Sequence, residues 1–101
     1  GPDSFLIKID CIAYAKLFTN IGTPGELVQN FIRYLLPKDL SDNQKTYMKS
    51  ILLSNQTSDF YWTNAWNAYV ANPNSANTSI VKSRLETLVN YITSLEEYQL
   101  C

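Results

Sequence analysis

The chain has 101 residues, with 8 Lys plus Arg against 9 Asp plus Glu and a net charge of −1. A domain of that size buries about 65% of its unfolded surface, enough for one modest core. The even charge and the absence of any charged block exclude nucleic acid as a natural partner, and no run of 18 apolar residues could cross a membrane.

The N-terminus has no basic stretch ahead of an apolar one, so no signal peptide is read. Gly1-Pro2 reads as the remnant of a cleaved tag, and residues 3 to 101 read as a single helical domain cut from a longer protein. In the first segment, Ile7, Ile9 and Cys11 alternate with Lys8 and Asp10, as in a strand. Ile7, Cys11, Tyr14 and Phe18 also fit a helical stripe, with Asp3 or Ser4 as its cap. No partner strand follows, and an unpaired strand would leave its ladder groups unsatisfied. A helix over about 4 to 18 is therefore expected.

Thr23-Pro24-Gly25-Glu26 matches a capping box with proline at the first helical position. Leu27, Val28, Phe31, Ile32, Leu35 and Leu36 follow on one face, and Pro37 stops the run, which predicts a helix over about 24 to 36. Ser41-Asp42-Asn43-Gln44 is a second capping box. Tyr47, Met48, Ile51 and Leu52 then predict a helix over about 42 to 53, and Ser54 to Thr57 form a polar link. Ser58 or Asp59 can cap a third run over about 59 to 71, in which Trp62, Trp66 and Tyr69 fall at i, i+4 and i+7. Asn72-Pro73-Asn74-Ser75 ends it. Asn77 or Thr78 is the expected cap of a helix over about 79 to 93, with Ile80, Val81, Leu85, Leu88, Val89 and Ile92 inward. Ser94 to Glu97 reads as a separate terminal turn from which Tyr98 and Leu100 tuck back. The fold expected is all-α, a compact bundle of about five short helices.

The chemistry available is narrow. With no histidine, the usual triads, general bases and most zinc sites are absent. The 9 serines and 8 threonines occur in no GxSxG or SxxK setting and are explained by capping. Asp39 and Asp42 flank a helix start, where negative charge offsets the dipole. With Ser41 and Asn43 they lack the central glycine of a calcium loop. No metal, no cofactor and no catalytic residue is assigned. Cys11 and Cys101 are 90 positions apart and read as a buried thiol and a terminal one, not as a disulfide framework. Asn55-Gln56-Thr57 and Asn77-Thr78-Ser79 match the glycosylation pattern but also lie where helix ends need caps.

The feature that stands out is the run of five aromatics Phe60, Tyr61, Trp62, Trp66 and Tyr69 within ten residues. One reading is a ligand or docking surface on Tyr61, Trp62, Trp66 and Tyr69, with Asn64 and Asn67 as polar partners; a glycan would stack on such rings. The other is a core helix whose indole N–H groups find bonds at the rim, and the shortness of the chain favours it.

The stretches Gly22 to Val28, Tyr34-Leu35-Leu36-Pro37 with Leu40-Ser41, Ile51 to Ser54, Asp59 to Tyr69, Val81 to Leu85 and Glu97 to Leu100 together resemble the C-terminal end of a large bacterial family, domain of unknown function eighteen hundred, in its Bacteroidota version. The Tyr-Trp-Thr-Asn-Ala-Trp run and the Glu-Tyr-Gln-Leu ending are the specific parts, and the resemblance covers about residues 22 to 100. It implies a mostly helical protein of several hundred residues, periplasmic, cell-surface or secreted, often encoded beside a sulfatase-like secreted protein. This chain would be its C-terminal module, and no catalytic residue carries over. The role expected is non-catalytic: packing against the rest of the parent or docking another envelope protein, with a small glycan-binding module as the alternative.

Overall fold

The computed structural model describes residues 10–100, with side chains through Leu95. Among these residues there are five helices and no strand. They are α1 (Cys11–Ala15), α2 (Pro24–Leu35), α3 (Asp42–Leu52), α4 (Phe60–Ala71) and α5 (Ser75–Leu100). The radius of gyration is 13.1 Å, as expected for about 100 packed residues. The helix α5 is the common post: α1, α2, α3 and α4 all pack on it, while α2 and α3 also pack on each other.

The first helix is shorter than its apolar stripe suggests. Asp10 is extended, with φ −80° and ψ 97°, and its carboxylate accepts from the Ala13 N–H at 3.0 Å. It is therefore a cap, and a helix unbroken over 4 to 18 is excluded at that residue. After Ala15 the chain tightens into i→i+3 turns, in which the Leu17 and Phe18 N–H groups reach Tyr14 and Ala15. The proposed caps Asp3 and Ser4 and the alternating Ile7 and Ile9 lie outside the described residues.

The three middle helices follow their periodicity, but one cap differs. The box at Ser41 forms on both sides, with Gln44 N–H to Ser41 Oγ at 3.2 Å and Ser41 N–H to Gln44 Oε1 at 3.1 Å. The box at Thr23 does not form. The Thr23 N–H is already held by the Asn20 carbonyl at 3.0 Å, and Glu26 accepts from the Asn20 amide instead. That leaves α2 to start on the fixed φ of Pro24.

The last helix departs most from its reading. It begins at Ser75, because Asn74 Oδ1 accepts from the Asn77 N–H at 2.8 Å. Asn77, expected as the cap, sits inside the first turn. Its amide donates to the carbonyls of Ala68 (3.2 Å) and Asn72 (2.9 Å), serving the end of α4. At the other end no separate turn forms at Ser94. No proline or glycine follows Pro73, and the Ser94 hydroxyl bonds back to the Tyr91 carbonyl at 2.7 Å without breaking the helix. The expected tuck of Tyr98 and Leu100, and any pairing of Cys101, lie outside the described side chains.

The core is wholly apolar among the described residues. Trp62, Phe31, Leu27, Met48, Leu52, Leu85, Leu88 and Ile92 are fully enclosed. Cys11 is buried too, and that burial, with Glu86 and Asp10 nearby, pushes its thiol up to about 11. It stays protonated and packs as a small hydrophobe at neutral pH.

Two local features give measurable consequences. The end of α3 is a Schellman motif: Asn55 N–H reaches the Ser50 carbonyl at 2.9 Å, and Ser54 N–H reaches Ile51 at 3.3 Å. The left-handed position is held by Ser54, at φ 54°, where glycine carries no Cβ penalty. Ser54→Gly is expected to stabilise the domain by about 0.5 kcal/mol and raise Tm by about 3 °C, read by calorimetry.

Asp39 accepts from Lys45 Nζ at 3.0 Å, from Gln29 at 3.2 Å and from the Leu40 N–H at 2.9 Å. These bonds, that of Lys45 first, lower its carboxyl from 3.8 to about 2. A depressed carboxyl stabilises the fold fully above its ordinary value, and that contribution is lost as pH falls through about 2. Carboxyl-detected NMR titration should show Asp39 as a low-titrating group, and Lys45→Ala should move it back toward 3.8.

Candidate functional site

The aromatic run on α4 divides between inside and outside, because a helix turns about 100° per residue. Trp62, Trp66 and Tyr69 point inward and are 0%, 7% and 9% exposed. Trp62 stacks on Trp66 at 6.0 Å between centroids, and Trp66 meets Tyr69 at 5.3 Å. Tyr61, Asn64 and Asn67 face solvent. The six residues singled out in the sequence therefore do not share one face, and the three rings that would form the centre of a stacking platform belong to the core.

The buried rings hold the chain together through their polar edges. Trp62 Nε1–H donates to the Ile21 carbonyl at 2.7 Å, and Thr63 Oγ1 donates to the Gly22 carbonyl at 2.6 Å. Both bonds pin the α1–α2 connection across 41 positions. Lys16 Nζ donates to Tyr69 Oη at 3.1 Å and lies 5.1 Å from the ring centroid. An indole N–H buried without such a partner would be costly.

What α4 leaves outside is a second aromatic pair. Phe60 is 60% exposed and Tyr61 46%, with their rings edge to face at 6.0 Å. Across from them, on α5, Ile80 is 44% exposed. Together with Asn64, Ala65, Ala68, Asn77 and Arg84 they line an open groove of about 250 Å³ between α4 and α5. The helical periodicity alone puts Ile80 on the inward face, and no sequence pattern singles out Arg84.

Arg84 is the anchor of this groove. Its Nη1 donates to the Tyr61 carbonyl at 2.9 Å and to the Leu52 carbonyl at 3.1 Å. Leu52 closes α3, so the guanidinium meets a helix C-terminus, where carbonyls lack partners and the dipole favours a cation. Burial lowers its affinity for the proton, yet arginine remains charged. No spacing signal could have shown this, since the partners are 32 and 23 positions away.

A second open groove, of about 400 Å³, lies between the end of α2 and the following turn, lined by Gln29, Ile32, Arg33, Leu36 and Lys38 among others. Among the described residues no group of three Cys, Asp or Glu side chains could hold a metal, and no helix is long and apolar enough to cross a membrane.

The division of the rings is directly testable. Acrylamide should quench the emission of Trp62 and Trp66 weakly in the folded protein and several-fold more strongly after denaturation. Strong quenching in the folded state would contradict the packing of α4. No family model matches the chain, and neither a curated protein nor a solved structure matches it.

Proposed function

We propose that this domain is a non-catalytic docking module, the C-terminal helical part of a secreted or cell-envelope bacterial protein, which binds another protein segment through the α4–α5 groove. The observation that carries the reading is the set of large apolar side chains left in solvent around one concavity. Phe60, Tyr61 and Ile80 frame it, and the half-buried Ala65 and Ala68 also line it. Single exposed apolar residues are ordinary, but a contiguous group around a cavity is the usual mark of a contact surface. Tyrosine and phenylalanine bury large area at small entropy cost, which suits an interface anchor. The envelope setting and the position within a parent rest on the resemblance of residues 22 to 100 described above.

The test is photo-cross-linking in the producing cell, with a benzophenone amino acid at Tyr61 and, as control, at the exposed Thr46 on α3. A discrete adduct from position 61 that is absent from position 46 is the expected result. No adduct, or the same adducts from both positions, would overturn the docking role.

A further inference from the structure

The groove carries a charge as well as an apolar wall, and the two together narrow what can sit in it. A guanidinium has five N–H donors in a fixed plane. In Arg84 the Nη1 hydrogens go to the carbonyls of Tyr61 and Leu52. Nε and Nη2 make no hydrogen bond to a described residue. Among the described residues the ion pairs are Lys45–Asp39 at 3.0 Å and Lys49–Asp59 at 2.7 Å, and neither involves Arg84. Arg84 is the one cation among the lining residues, and no carboxylate lines the groove. Arg84 is a single held cation whose orientation is fixed by two carbonyls before any partner arrives.

We infer that the α4–α5 groove recognises an acidic residue flanked by apolar side chains on a partner protein, with the carboxylate meeting the open edge of the Arg84 guanidinium and the apolar flanks meeting Phe60, Tyr61 and Ile80. The inference rests on the docking reading and adds its chemistry. One guanidinium offering parallel N–H donors matches one carboxylate. A phosphoryl group carries more charge than this lone cation balances. The apolar rim excludes water from the pair and makes it stronger than an open surface pair. The exposed amide of Asn64 stands on the α4 wall and can serve the backbone of the bound segment, whereas the N–H groups of Asn77 are already given to Ala68 and Asn72. Preorientation matters here, because the side-chain entropy of Arg84 is already lost in the unbound domain.

The experiment is an NMR titration of the ¹⁵N-labelled 101-residue chain with two capped tripeptides, acetyl-Phe-Glu-Leu-amide and its Gln counterpart. The expected result is shifts centred on Phe60, Tyr61, Ile80 and the Arg84 side chain. The Glu peptide should bind about tenfold more tightly than the Gln peptide, and that preference should shrink with added salt. Arg84→Gln should abolish the preference. Because Arg84 also tethers α3 to α4, a second variant guards against misfolding. Asn64→Asp, at an exposed position, places a carboxylate on the groove wall and should remove the preference while the spectrum stays folded. Equal binding of the two peptides, shifts away from the groove, or no shift at all would overturn the inference. If the peptides bind alike while Tyr61 still gives its discrete cross-link, the docking role stands without its acidic recognition. If the cross-link is also missing, both fail.

Discussion

Every other helix among the described residues packs on the buried face of α5. A helix of 26 residues rises about 39 Å, which matches the 42 Å long axis of the molecule. Val81, Leu85, Leu88, Val89 and Ile92 lie along its inward side, and four shorter helices close over them. None of the short helices is long enough to be stable alone in water. Their order comes from covering α5, and the polar bonds serve to fix where each one lands. Trp62 and Thr63 settle the α1–α2 connection against α4, and Arg84 ties the end of α3 to the start of α4.

These polar bonds share a design. Each donor is a side-chain N–H of a buried or half-buried residue, and each acceptor is a backbone carbonyl in a turn, at a helix end or in a first turn. The Trp62 indole, the Asn77 amide and the Arg84 guanidinium all work this way. The interior itself stays free of polar side chains among the described residues. Orphan carbonyls at helix C-termini are a standing cost of helical folds, and here they double as the sockets that set the register of neighbouring helices.

How much of this was legible beforehand depends on the range of the interaction. The helices α2, α3 and α4 were readable because their apolar residues recur at helical spacing and their ends carry Pro24, Ser41 and Asn72-Pro73. The start of α5 is not legible locally: Asn77 and Thr78 look like caps, but Asn74 caps the helix while the Asn77 amide is drawn to the carbonyl of Ala68 on another helix. Its continuation past Ser94 is not legible because a serine that suggests a turn can equally bond backward into the helix. The α4 rings were legible as core material in number but not in direction: Trp62 and Tyr61 are neighbours in sequence and end up on opposite sides of the surface. The groove was invisible, since it exists only where Arg84 and Ile80 of one helix approach Phe60 and Tyr61 of another.

The placement of α5 behind its four partners in chain order has a consequence for synthesis. A ribosome delivers α1 to α4 first, at about 5–20 residues per second. Until the segment holding Leu85, Leu88 and Ile92 emerges, α3 and α4, with Met48 and Trp62 on them, lack the helix they pack on. For that interval, on the order of seconds, the nascent chain carries its stickiest surface in the open. A premature stop within α5 would make that state permanent: a truncated chain would be a substrate for chaperones and proteases, not a shorter version of the domain.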